Sequence, residues 1–195
     1  MRKTLIALVI VAAMALPFAA QAADQYKIDP VHSSLVFAIN RGGLVDVYGS
    51  LNITEGSITL DNDDLAASAV SLTVDMNSVD TTVDKRDDHI RTADFFNVAQ
   101  FPTSTFQSTG LSDNGDGSWT LTGDLEFMGI RQPISFPVTM QGPQTGEKGT
   151  SAGFAGEFIL NTTDFGWPAG MLSSEVKIIV SLLANKLEPT AVAAP

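Results

Sequence analysis

The chain has 195 residues and a formal net charge of −11, with 22 acidic against 11 basic side chains, two histidines and no cysteine. That charge repels nucleic-acid backbones and anionic membrane surfaces, and the lack of cysteine excludes disulfides, thiolate metal sites and a lipid-anchored type of secretory signal. Stability has to come from a packed apolar core, and the length suits one domain.

Residues 1–22, MRKTLIALVIVAAMALPFAAQA, have the order of a secretory signal: a basic start at Arg2 and Lys3, an apolar run from Leu5 to Leu16, and Ala20-Gln21-Ala22 as a small-x-small cleavage site. Cleavage is expected after Ala22, which places the protein in the periplasm with residues 23–190 as its single domain. Loss of Arg2 and Lys3 lowers the 11 basic residues to 9 against 22 acidic ones, a net charge of −13. The apolar run is too short to span a bilayer, and no later segment approaches the roughly 20 apolar residues that a membrane helix needs. No integral membrane segment is therefore expected.

From residue 33 onward the apolar residues alternate with polar ones. In SLVFAIN, Leu35, Phe37 and Ile39 share a face, and in SAVSLTVDMNSV, Val70, Leu72, Val74 and Met76 oppose Ser71, Thr73 and Asp75. SWTLTGDLEF sets Trp119, Leu121, Leu125 and Phe127 against Thr120, Thr122, Asp124 and Glu126. IRQPISFPVTM, GFAGEFIL and EVKIIVSLL continue the same period. Turn signals lie between these runs: EGS at 55–57, DNGDGS at 113–118, MGIRQP at 128–133 and GPQTGEKG at 142–149. The pattern predicts strands at 33–40, 46–54, 57–61, 67–77, 103–111, 118–128, 131–141, 150–161 and 174–186. Eight or nine short strands joined by hairpins suit a closed antiparallel barrel, an all-β fold.

Alternation fails only at 82–98, TVDKRDDHIRTADFFNV, where Val83, Ile90 and the Phe95-Phe96 pair fall at helical spacing and Asp84 is placed to cap the start. One short helix is predicted near residues 84–96. Asp84, Asp87, Asp88 and His89 supply ligand types but no recognised metal spacing, so no metal is assigned. No Gly-x-Ser-x-Gly elbow accompanies the serines, and no carboxylate pair stands out among the 22 acids, so no catalytic residue is assigned either. Asp87 and Arg91, four apart, are expected to pair along the helix.

Five stretches in order, YKIDPVHSSLVFAI (26–39), VYGSL (47–51), KRDDHIRTADFFNVAQFPTSTFQS (85–108), GDLEFMGIRQPISFPV (123–138) and TTDFG (162–166), resemble the YceI-like family of exported polyisoprenoid-binding proteins. The resemblance spans nearly all of the chain after the signal. It implies an extended, eight-stranded, lipocalin-like antiparallel barrel that carries an isoprenoid or another long-chain amphiphile (a polyprenyl phosphate, a quinone or a fatty-acyl lipid) in an apolar channel, with no catalysis and no cofactor beyond that lipid. Family members often have a histidine after the first strand and an arginine before the Asp-Phe-Gly. Here those places hold Asn40 or Arg41 and Thr162 or Thr163.

Strand parity and aromatic size nominate Phe37, Ile39, Leu72, Val74, Phe106, Leu125, Phe127, Phe136, Phe154, Phe158 and Trp167 as the channel lining. Alternation alone does not choose between a barrel filled by these side chains and one with room for a ligand. Asp87, His89 and Arg91 are expected to form a polar network that fixes the helix to the rim. Arg41, Arg86 and Arg91 are the candidates for a phosphate head group, because arginine pairs bidentately with phosphate. An enzyme acting on a barrel-bound lipid through the His89 cluster, and a stress-related scavenger of hydrophobic toxins, are the competing readings. The sequence allows a homodimer.

Overall fold

The computed structural model describes residues 23–167 and 174–188. Residues 1–22, where a secretory signal is expected, residues 168–173 and residues 189–195 lie outside the described residues. Eight strands follow one another: β1 (Asp24–Arg41), β2 (Val45–Leu60), β3 (Ala69–Asp80), β4 (Thr103–Asp113), β5 (Trp119–Phe127), β6 (Ile130–Gly146), β7 (Gly149–Asn161) and β8 (Glu175–Lys186). Each pairs antiparallel with the next, and β1 also pairs with β8, which closes the sheet into a barrel. The period-two pattern favours this arrangement, because alternate side chains along most of each strand are apolar and need one shared interior. On β5, Leu121 and Phe127 are buried inside while Thr120, Thr122, Asp124 and Glu126 form the alternate face. Apolar inside and polar outside is the inverse of a membrane-spanning barrel. No helix among the described residues is long and apolar enough to cross a membrane.

Three turn signals behave differently from expectation. The runs 46–54 and 57–61 form one strand, β2, whose register slips between Ile53 and Glu55. Gly56 is there for close approach, not for a turn: a Cβ on it would meet Ile28 Cγ1 at 2.6 Å and Leu72 Cδ2 at 2.8 Å. MGIRQP shrinks to a two-residue hairpin turn, Met128-Gly129, with φ of 52° and 72°, and β6 resumes at Ile130. GPQTGEKG is mostly strand, with its turn confined to Glu147 and Lys148. β1 also begins earlier than alternation indicates, at Asp24, because Pro30–Ser33 form an irregularity that the strand passes through.

The predicted helix is α1 (Asp84–Arg91), and it ends before the phenylalanines. Its N-cap is Val83, with no side-chain cap, and Asp84 is already the first helical residue. Thr92 stops it in extended backbone, its hydroxyl donating to His89 O at 2.7 Å. The chain then turns so that Phe96 N–H donates to Ile90 O, which delivers Phe95 and Phe96 to the barrel end.

The network that holds α1 differs from the expected one. Asp87, buried, accepts from Thr81 N and from Thr81 Oγ1, while Arg86 Nε donates to Thr81 Oγ1 and its terminal nitrogen to Thr81 O. Arg91 pairs with Asp88 at 3.1 Å, not with Asp87, and donates to Asn77 O and Val79 O, carbonyls that the irregular part of β3 leaves without a β2 partner. His89 takes no part. It is 61% exposed, lies 3.9 Å from Asp94 and meets Phe95 edge to face. The preference has a simple cause: Thr81 is buried at the strand end and its N–H needs an acceptor, which a carboxylate one turn into the helix can supply.

Replacing Asp87 by Ala leaves that N–H unpaired and should cost about 2–3 kcal/mol in urea unfolding. Replacing the exposed Asp88 should leave the midpoint where it is.

Candidate ligand channel

The inward positions converge on one apolar channel with a cavity volume of about 170 Å³. Each strand contributes by its parity: Phe37 and Ile39 from β1, Leu72 and Val74 from β3, Phe106 from β4, Leu125 and Phe127 from β5, Phe136 from β6, Phe154 and Phe158 from β7. Trp167 reaches it from the segment after the 3₁₀ turn Thr162–Phe165. The structure thus brings together every side chain that strand parity nominates.

The same parity holds for aliphatic lining residues that the nomination does not include, among them Leu35, Met76, Leu121, Ile178, Val180 and Leu182. Their signal was the alternation itself, discounted in favour of aromatic size. Among the described residues the lining carries no ionisable side chain. Its hydroxyls are largely spent on the backbone: Ser104 Oγ donates to Glu126 O at 2.7 Å, Thr162 Oγ1 to Ser174 O at 3.4 Å, and Ser68 Oγ accepts from Asp61 N at 3.0 Å. Tyr26, buried at the other end against Phe154, has its phenol pKa raised by burial and then by Asp24, so it too is uncharged at neutral pH.

Glycines decide why the aromatics do not fill the interior. A Cβ on Gly123 would lie 2.4 Å from Phe106 Cζ, one on Gly156 would lie 2.9 Å from Phe136 Cε2, and one on Gly49 would collide with Phe37 Cζ. Each ring therefore lies flat over a neighbouring strand's backbone, and the centre stays free. The fully buried residues accordingly separate into two groups, a large one and a small one of Phe106, Leu121 and Phe136. Half-buried side chains such as Leu72, Leu125 and Phe158 lie against both groups.

Under α1 the channel ends in an aromatic stack. Phe96 lies parallel to Trp167 at 6.0 Å between ring centres and meets Phe127 edge to face at 5.5 Å, and Phe127 meets Phe165 at 5.6 Å. The indole Nε1 of Trp167 donates to Phe95 O at 3.2 Å, with Met128 Sδ at 3.0 Å, so the ring is held by a polar tie as well as by contact. The head-group candidates stand apart from the lining. All three guanidinium nitrogens of Arg91 are engaged, two nitrogens of Arg86 hold Thr81, and Arg41 is exposed where β1 enters its hairpin. The two arginines of the helix serve to fasten it.

Residues 26–184 match the family described as the YceI-like domain. A UPF0312 protein of Vibrio vulnificus (strain YJ016) is 39% identical over 179 residues, which is 90% of this chain and 94% of that one. A UPF0312 protein of Pseudomonas paraeruginosa is 37% identical over 187 residues, 93% of this chain and 97% of that one. Among solved structures, BcnA of Burkholderia cenocepacia superposes with a TM-score of 0.73 at 21% identity, covering 81% of this chain and 99% of its own. A polyisoprenoid binding domain from Saccharophagus degradans, implicated in plant cell wall breakdown, gives 0.66 at 18% identity, covering 83% and 98%. These structural likenesses establish the shared barrel.

Substitution of Gly123 by Ala should push the Phe106 ring toward the channel and cost about 1–3 kcal/mol by overpacking. Gly146, with nothing within 4 Å of its Cβ position, should accept Ala with no change in the urea midpoint.

Proposed function

Because the chain belongs to the YceI-like family, we propose that it binds a long isoprenoid or another long-chain amphiphile (polyprenyl phosphate, quinone or fatty-acyl lipid) in the barrel channel and carries it through the periplasm without chemical change. The observation that carries this reading is the lining itself: an interior walled by aliphatic and aromatic side chains, kept from collapse by glycines, with no ionisable group among its described residues. The isoprenoid class is supported by what the Saccharophagus degradans domain is described as binding. The periplasm is supported by the signal-like residues 1–22.

The energetics are adequate. Each buried methylene contributes about 0.8 kcal/mol, so a chain of about sixteen carbons gains about 12 kcal/mol before ordering and association costs of several kcal/mol. The lining on β5 from Trp119 to Phe127 spans roughly 20 Å along the axis, for strands rising about 3.3 Å per residue and tilted about 40°. A cavity of 170 Å³ is close to the roughly 150 Å³ that takes a benzene in a dry apolar core, so a long chain has to displace the half-buried side chains as it settles. Selection by length and shape, and carry-over of host lipid, follow from such a site. His89, the centre of the enzymatic reading, sits outside the lining on the exposed face of α1. A scavenger of hydrophobic toxins would use the same channel and differ only in its cargo.

The test is a native mass spectrum of the protein purified from exporting cells without detergent. A bound species of lipid mass, displaced by added quinone or polyprenyl phosphate, lost in Leu125→Glu and retained unaltered in His89→Ala, is expected. A bare protein that takes up none of these lipids would contradict the proposal.

A further inference from the structure

Among the described residues, the barrel wall has a seam between β6 and β7 that side chains close. The β6–β7 ladder runs from Gly146↔Gly149 to Val138↔Gly156 and stops. Continued in register it would set Pro137 opposite Glu157, Phe136 opposite Phe158 and Ser135 opposite Ile159, yet none of these pair. Both strands meanwhile keep their other neighbours: β6 pairs with β5 down to Ile130, and β7 pairs with β8 as far as Asn161. The strands part without either leaving the sheet.

The sequence QPISFP explains the parting. An antiparallel residue directs its N–H to one neighbour only, and β5 pairs unbroken past Pro133 and Pro137, so the nitrogens of both prolines and of Ser135 lie on the β7 side. Two of those three positions have no proton to donate, and the ladder to β7 cannot continue.

The gap is a cleft of about 390 Å³ whose rim is Pro133, Ser135, Pro137, Glu157, Ile159 and Asn161. Its floor, Ile134, Phe136, Phe158 and Leu160, also lines the interior channel. At the centre of that floor the rings of Phe136 and Phe158 stack, 4.6 Å apart and inclined by 28°. A strap crosses near the α1 end, where Gln132 Nε2 donates to Asp164 O at 3.0 Å. Other irregular stretches of the wall differ: Ser33 Oγ bridges β1 to the backbone of Leu183 on β8, Ile28 and Ile53 are buried at the β1–β2 irregularity, and α1 with Arg91 covers the free end of β3.

We propose that this cleft is a lateral portal through which a long apolar chain passes into and out of the channel, an inference that rests on the binding function proposed above. Parting the seam breaks no ladder hydrogen bond and costs side-chain contacts, chiefly the Phe136–Phe158 stack, and the Gln132 strap. End-on passage under α1 would have to dismantle the Phe96, Phe127 and Trp167 stack. A lateral opening also lets a chain longer than the barrel lie down along its length, instead of threading from one end.

The chain has no cysteine, so Ser135→Cys/Ile159→Cys introduces a unique pair at outward, register-opposed positions that a short bis-maleimide can tether across the seam. Stopped-flow uptake and release of cis-parinaric acid would be compared in the tethered and untethered protein. Tethering should slow both rates by at least about tenfold while the Kd stays within about threefold. Equal rates would overturn the portal and leave binding intact, whereas no uptake by the untethered protein would overturn the binding function and the portal with it. Pro133→Thr/Pro137→Thr supplies the missing donors and needs no cross-link. It should slow exchange as it raises hydrogen-exchange protection across 133–137 and 157–161, and fast exchange despite that protection would overturn the proposal.

Discussion

Closure of β1 against β8 is the constraint on which the rest depends. Once the first strand pairs with the last, every alternate side chain of eight strands is committed to one interior, and no strand can slip by a residue without exposing its whole apolar set. Eight strands leave an interior only just wide enough for side chains to fill. Whether it fills is then decided locally, where Phe37, Phe106 and Phe136 fold over Gly49, Gly123 and Gly156 and leave the axis free. A channel is the outcome of closure plus these close approaches.

The two ends of that logic were unequally visible in the sequence. Strand parity is a local property, so the faces carrying Phe37, Leu72, Leu125 and Phe158 could be read directly, as could a helix where alternation broke down. The free axis could not, because it rests on contacts between strands, such as the ring of Phe106 over Gly123, that no periodicity records. Breaker residues misled for a related reason. Gly56 reads as a turn but serves as a gap under Ile28 and Leu72, and the start of β1 was hidden because Pro30 sits in an irregularity of the wall. Around α1 the charges were legible and their partners were not: Asp87 answers a buried Thr81 that precedes the helix, while His89, the most conspicuous residue of the stretch, faces outward.

Around α1 the polar side chains fasten the helix. Asp87, Arg86 and Arg91 tie α1 to carbonyls and an N–H at the end of β3, and this positions Phe95 and Phe96 against Trp167. The ladder is complete along most of the barrel and stops between β6 and β7 where prolines stand, and in the proposed reading that contrast lets one fold hold a chain and still exchange it. The interior offers shape and apolar surface, so under the proposed function discrimination among isoprenoid, quinone and fatty-acyl chains would fall to length and stiffness rather than to directed hydrogen bonds.

The most direct measurement is an isotope-filtered NOE experiment on methyl-labelled protein with an unlabelled polyprenyl phosphate. Contacts from the chain's methylene and methyl protons to Leu72, Leu125, Ile178 and Val180, which line the channel, are the expected result. Contacts confined to exposed methyls such as those of Val31, Leu44 and Val45, with none inside, would contradict a function based on the channel.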